Sequence, residues 1–229
     1  MTPSGTGRPK TEDELILRAV LYRLREGCSW RSLSIFAPYT TVYTRWKQWC
    51  EDGVWEKILK KLTHKAKGKL WSIDASCIKV HKHCFGAVGG TENQSIGKTK
   101  GGWNTKVHAL TDNQGRPVSL LLGAGNRHDL MSAPDLVEGQ IDRYILADKA
   151  YDSDSFRGLL GKLGLTACIP PKANRKNPAS YHKGYYKKRH HVENYFQRIK
   201  EHRAVSTRYE KLDERFLGLV TLASIKLWL

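Results

Sequence analysis

The hydrophobic period of this 229-residue chain changes at residue 70, and that change restricts the fold more than any other feature. Before it, apolar residues recur at helical spacing: Leu15, Ile16, Ala19, Val20 and Leu24, then Val42, Trp46 and Trp49. After it, 70–76 reads as a strand and 103–111 as a second. Asp112-Asn-Gln-Gly115 turns the chain into a third strand over 117–122. A helix over 129–140, a short apolar strand at 144–148, a helix over 154–163 and a strand over 165–169 follow. Helices over about 185–202 and 213–229 complete the chain. Three strands, then alternating helix and strand, make a mixed-sheet α/β layout.

The first 70 residues are a different kind of segment. Thr11 followed by Glu14 predicts a capping box, and the helix it opens stops at Gly27. Short helices over 30–36, from about 40 to 53, and over 54–62 complete a set that resembles a helix-turn-helix. Its third element would present Thr44, Arg45, Lys47 and Gln48 to a DNA major groove. Four tryptophans (30, 46, 49, 55) fall in this segment and read as core packing rather than base stacking. The resulting organisation is a flexible terminus at 1–10, a helical domain at 11–69, and an α/β domain at 70–229 with a basic loop at 172–184.

Charge matters through its placement. Lys and Arg number 39 against 22 Asp and Glu, a net +17. The excess lies in residues 1–70 (+7) and 172–208 (+9), on either side of a nearly neutral middle (+1). Two basic blocks suggest two places for a polyanion backbone, although a solvated surface with a disordered basic loop would give the same totals. No apolar run is long enough to span a bilayer, and the N-terminus lacks the apolar segment of a signal peptide. Five cysteines without a C-x-x-C pair argue against a disulfide framework or a zinc ribbon, and point to a reducing cytoplasm. His81, His83 and Cys84 have no second ligand pair at zinc spacing.

Three acids stand out. Asp is disfavoured in strands, yet Asp74 interrupts one apolar strand and Asp148 ends another. In open α/β sheets such strand ends face the ligand crevice. Glu193 is the lone acid of its stripe in a basic helix. With Tyr186, Arg189 and Lys200 it falls within about 60° of one helical stripe, beside the apolar stripe of Val192, Tyr195, Phe196 and Ile199. An ordinary surface ion pair with Arg189 is one reading of Glu193. A hard oxygen ligand set for Mg²⁺, formed with the two aspartates, is the other. Asp152 and Asp129 read as helix caps.

The spacing Tyr186-x2-Arg189-x3-Glu193-x6-Lys200 matches in full the signature of bacterial insertion-sequence DDE transposases. Ile73-Asp74-Ala-Ser76, Asp148-Lys-Ala-Tyr-Asp152, the stretch 96–106 and Thr207-Arg-Tyr-Glu-Lys211 also resemble that family. The resemblance covers nearly the whole chain. It implies a ribonuclease H-like mixed sheet flanked by helices, preceded by a small all-α helix-turn-helix domain that binds the element's ends. It further implies that Asp74, Asp148 and Glu193 hold two Mg²⁺ ions (Mn²⁺ as a substitute) for end hydrolysis and transfer of the freed 3′-hydroxyl to target DNA. Tyr186, Arg189 and Lys200, together with Lys98, Lys100 and Lys106, would grip the strand. The implied partners are duplex DNA, both terminal inverted repeats and target, and a second copy of the chain on that DNA, at the bacterial nucleoid. A ribonuclease H-like nuclease that cuts without joining, and a transposase-derived regulator, are the alternatives.

Overall fold

A computed structural model describes residues 11–87, 90–91 and 94–229. The expected flexible terminus at 1–10 lies outside them. Four helical pieces come first: α1 (Asp13–Glu26), a 3₁₀ turn (Trp30–Ile35), α2 (Tyr39–Glu51) and α3 (Val54–Thr63). The capping box does not form. Glu12 is the N-cap without a side-chain bond, and Glu14 instead pairs with Arg18 one turn on, at 2.7 Å. Gly27 does end α1, in the left-handed conformation (φ 67°) with its N–H donating to Arg23 O at 2.8 Å. A Cβ there would come within 2.9 Å of Arg203 Cβ, so the position demands glycine on two grounds.

The sheet that follows contains β1 (Leu70–Val80), β2 (Gly97–Thr99), β3 (Gly102–Thr111), β4 (Pro117–Ala124), β5 (Tyr144–Leu146), β6 (Thr166–Cys168) and β7 (Thr207–Arg208). Its backbone order is β4-β3-β1-β5-β6: β1, β3 and β4 are antiparallel, whereas β5 and β6 run parallel to β1. This is the ribonuclease H-like arrangement. The β3–β4 turn forms where the sequence places it, and buried Asp112 binds it by accepting from the Gln114 and Arg116 N–H groups and from the Arg116 guanidinium. The short strands β2 and β7 have no counterpart in the sequence pattern. They extend the edges beside β3 and β1, and they are too short to carry an alternation of their own.

The remaining helices differ in extent from expectation. The 129–140 segment splits into a 3₁₀ turn (Asp129–Ser132) and α4 (Ala133–Val137). α5 spans Asp154–Lys162. The 185–202 helix is interrupted: α6 (Lys183–Tyr186), a 3₁₀ turn (Lys187–Arg189), then α7 (His190–Lys200). A short α8 (Arg203–Ser206) precedes α9 (Asp213–Ile225), which stops short of 229. Among the described residues, no helix is long and apolar enough to cross a membrane.

The N-terminal helices have no core of their own. Fully buried Trp46 of α2 stacks within 5.4 Å of Trp55, and the same apolar cluster runs through Phe216, Leu219 and Val220 of α9 into Val192 and Tyr195 of α7. α9 is buried nearly all round, as a central helix must be to serve both halves. Gly218 lets it approach α2, because a Cβ there would stand 2.8 Å from Cys50 Sγ and 3.1 Å from the Trp46 ring. A second cluster, including Ile73, Ile145, Tyr151 and Phe156, fills the other face of the sheet under α4 and α5.

Candidate active site

Asp74 does not end its strand. β1 continues to Val80, but the parallel pairing with β5 stops at Ser72↔Leu146. Asp74 and Asp148 lie the same two residues beyond that last pair, in one register, on strands whose usual spacing is about 4.8 Å. Asp148 Oδ1 accepts the Ala150 N–H at 2.8 Å, capping a 3₁₀ turn (Lys149–Tyr151) that holds the carboxylate at the strand end. Asp74 Oδ1 accepts the Ala75 N–H at 2.8 Å. Burial pushes the Asp74 carboxyl above its ordinary value; the Ala75 N–H and Arg189 oppose the shift, and the like charge of Asp148 adds to it. Two acids forced together in this way call for a cation.

That cation comes from the helical stripe. Arg189 Nη1 lies 2.9 Å from Asp74 Oδ2, and its Nη2 donates to Glu193 Oε1, so one guanidinium spans both carboxylates. Burial would lower the Arg189 pKa, but the charges of Asp74 and Glu193 outweigh it and raise it. Lys200 donates to Ser76 Oγ at 2.7 Å, on the same face of β1 two residues past Asp74. Tyr186 meets the Tyr181 ring edge-on at 5.5 Å, and its position follows from the 3₁₀ turn rather than from one continuous helix. The 100° arithmetic therefore misplaces Tyr186 and Arg189 relative to Glu193, yet Arg189, Glu193 and Lys200 still share the cleft side with Asp74 and Ser76.

Asp152 is not a cap. Ser153 caps α5, accepting from Phe156 N at 3.1 Å. Asp152 has a side chain with no exposed surface; it accepts from Arg157 Nε, Arg175 Nε and Lys172 N, each at 2.8 Å. The start of the basic loop is thereby tied to the fold, next to Asp148. Asp129 is not a cap either: His128 fills that position with its ring, and Asp129 Oδ1 lies 2.7 Å from Lys106 Nζ. Lys106 also donates to Arg127 O, so it points inward rather than toward a strand of DNA. Lys98 and Lys100 are exposed. On α2, Thr44, Lys47 and Gln48 are exposed, while Arg45 is paired with Asp13 and largely covered.

Sequence reasoning missed Ser76 as the seat of Lys200, and Tyr151. The Tyr151 ring is buried near Asp148, its hydroxyl has no hydrogen-bond partner among the described residues, and burial with the nearby Asp129, Asp74 and Asp148 charges raises its pKa. Its place inside the Asp148-to-Asp152 motif was the available signal. Among the described residues, no three His, Cys, Asp or Glu side chains are gathered closely enough to cage a metal ion. The donor set nevertheless suits a hard cation: two in-register carboxylates, and a third one guanidinium away.

Known protein families match the chain over nearly its whole length. Residues 1–59 match the family described as "Putative transposase of IS4/5 family", and residues 65–226 match "Transposase DDE domain". A Brucella ovis protein, "Putative transposase for insertion sequence element IS6501", is 33% identical over 127 residues, covering 55% of this chain and 98% of that protein. An uncharacterized Sinorhizobium fredii protein is 35% identical over 89 residues, 37% of this chain and 71% of its own length. Among solved structures, a piggyBac transposase synaptic complex with hairpin DNA gives a TM-score of 0.47 at 13% identity, over 93% of this chain and 53% of that one. A Mos1 transposase paired-end complex gives 0.30 at 9% identity, over 91% and 82%. With 162 of its 229 residues inside the DDE match and the sheet order of a ribonuclease H-like core, the chain belongs to the DDE transposase family of insertion sequences.

Proposed function

We propose that this transposase binds the ends of its insertion sequence, hydrolyses the end phosphodiester, and joins the freed 3′-hydroxyl to target DNA. The observation that carries the reading is the in-register Asp74–Asp148 pair bridged to Glu193 by Arg189. These three acids are the residues to hold Mg²⁺, with Mn²⁺ as a substitute; when bound, the ions stabilise the attacking and leaving oxygens of an in-line displacement.

The chain's own groups do the positioning. Arg189 gives its planar fork to a phosphate once its carboxylates are otherwise neutralised. Lys200, seated on Ser76, offers an ammonium farther along β1. Tyr186 and the exposed Lys98 and Lys100 extend the grip on the backbone. Because water and then the 3′-hydroxyl are the nucleophiles, no protein side chain forms a bond to DNA. The exposed Thr44, Lys47 and Gln48 face of α2 supports end recognition by the helical segment 11–69 in the major groove, with Arg45 joining if it leaves Asp13. Two copies of the chain, one per end, complete the assembly, at the nucleoid.

Incubation with the flanking ends and Mg²⁺, followed by sequencing of the products, tests the reading. The expected products are a 3′-hydroxyl at the element's end and a joined target strand. Asp74→Asn, Asp148→Asn and Glu193→Gln should each abolish both products and leave end binding intact. Cutting without joining would replace transposition by a plain nuclease activity. Equal affinity of the wild type for end and random DNA would remove sequence reading from α2.

A further inference from the structure

The clamp at Asp152 has a consequence on the far side of the acid pair. A cavity of about 400 Å³ opens at Asp148, lined also by His128, Lys149, Ala150, Lys172 and Ala173. Lys149 is exposed, Lys172 half-buried, and among the described residues no carboxylate lies within ion-pair distance of either ammonium. Both lysines are fixed locally. Lys149 opens the turn that Asp148 caps, and the Lys172 backbone N–H is bound by buried Asp152. The loop's next cation, Arg175, is held by Asp152 and Asp154 and is therefore not free to fold over the cavity.

Position follows from the sheet. In the order β3-β1-β5-β6, α7 packs against β1 and β3, and with the 3₁₀ turn before it brings Arg189 and Lys200 to the Asp74 side. Lys172 follows β6 and so reaches the acids from the Asp148 side. A phosphate strand lying across two adjacent carboxylates is repelled unless cations flank it. The Arg189 side is supplied by the family signature; the Asp148 side has no assigned counterpart.

We propose that Lys149 and Lys172, with His128 at the rim, form a second phosphodiester-binding subsite that holds the DNA strand where it leaves the acid pair on the β6 side. This rests on the reading that the protein binds DNA across that pair. A backbone phosphate fits better than a free anion, because the cavity is open and its cations sit on separate elements, before α5 and after β6.

The test is the salt dependence of binding to a labelled end duplex, followed by fluorescence anisotropy. Every phosphate that a cation no longer neutralises lowers the slope of log K against log salt by about 0.9. Lys149→Gln with Lys172→Gln should lower the wild-type slope by nearly twice that amount, while Lys149→Arg with Lys172→Arg should keep it. Lys176→Gln removes one charge from the same loop outside this cavity and should leave the slope unchanged. Each single Gln variant, checked for an unaltered melting temperature, should show about half the effect of the double variant, which keeps the test valid if the double variant folds poorly. An unchanged slope in the Gln variants overturns the subsite, as does an equal fall in Lys176→Gln, which would mean a diffuse field. Inorganic phosphate at constant ionic strength should compete weakly; displacement of the duplex from the wild type but not from the Gln variants would make this a free-anion site and overturn the assignment. Absence of any wild-type binding would instead refute the DNA-binding reading itself.

Discussion

Replacing Asp152 by Ala should destabilise the protein by about 3 kcal/mol, far beyond the value of a surface ion pair. Its carboxylate is fully covered and both oxygens are used, by Arg157, Arg175 and the Lys172 N–H, each at 2.8 Å. Breaking a buried, hydrogen-bonded charge cluster costs about 3–5 kcal/mol. The low end applies because the arginine side chains are 14% and 17% exposed and each keeps another acceptor, Ile169 O for Arg157 and Asp154 for Arg175. Asp152→Asn, which retains the shape and one acceptor, should cost about half as much. In urea, with m of roughly 1–3 kcal/mol/M, the Ala variant should lower the midpoint by about 1 M or more at unchanged m. Limited proteolysis should find new cuts at 172–177. The pH dependence has a definite sign. Burial pushes the Asp152 carboxyl up, but the Lys172 N–H and the two guanidiniums outweigh it and hold it below its ordinary 3.8. The advantage of wild type over Asp152→Asn is therefore present above pH 3.8 and lost as pH falls through the depressed folded value. A midpoint shift under about 0.3 M for Asp152→Ala would refute the reasoning and reduce the cluster to a solvated pair.

Other outcomes follow from the same structure. Arg189→Ala should bind Mg²⁺ at least as tightly as wild type by calorimetry, since it frees Asp74 and Glu193, yet reduce strand joining by at least about tenfold. Arg189→Lys should also be impaired, because an ammonium cannot span both carboxylates. Burial holds the fully covered His108 down at about 4, with Asp129 opposing and Lys106 and Arg127 assisting. Its share of stability is present above the unfolded value of 6.5 and declines as pH falls toward 4, by up to about 3 kcal/mol, so a His108→Leu variant should show a flatter stability curve across that window. Gly218→Val should cost roughly 2 kcal/mol and lower a single thermal transition without splitting it, because the clash with Cys50 and Trp46 lies in a core common to both halves of the chain.

Much of the site could be read in advance because it obeys local rules. The period change located the sheet, and an aspartate inside an apolar strand is rare enough to be informative by itself. The errors cluster where a polar side chain chooses between a local and a distant partner. Thr11, Asp129 and Asp152 all look like caps by position; Glu14 turned instead to Arg18, Asp129 to Lys106 and Asp152 to two arginines and an amide. Nothing in the spacing distinguishes these choices, since they depend on which residues the sheet brings near. The interrupted helix at 187–189 is a similar case: ideal 3.6-residue geometry cannot foresee a 3₁₀ turn. Tyr151 and Ser76 lie inside the two aspartate motifs, but the role of each depends on a neighbour that only the fold brings near, Asp148 for Tyr151 and Lys200 for Ser76.

The tryptophan cluster shared by α2, α3 and α9 makes the protein a gauge. The exposed face of α2 and the acid pair of the sheet are joined through packed side chains, with no slack segment between the helices and α9 to absorb a change in separation. On the proposed function, the distance from a sequence read on α2 to a bond cut at Asp74 and Asp148 would be a fixed length, set by packed rings and not by a tether. One base pair inserted between the recognised sequence and the element's tip moves the scissile bond by about 3.4 Å along the axis and rotates it as well. The cut should therefore stay at a constant count of nucleotides from the recognised sequence, even when that count no longer falls at the element's end.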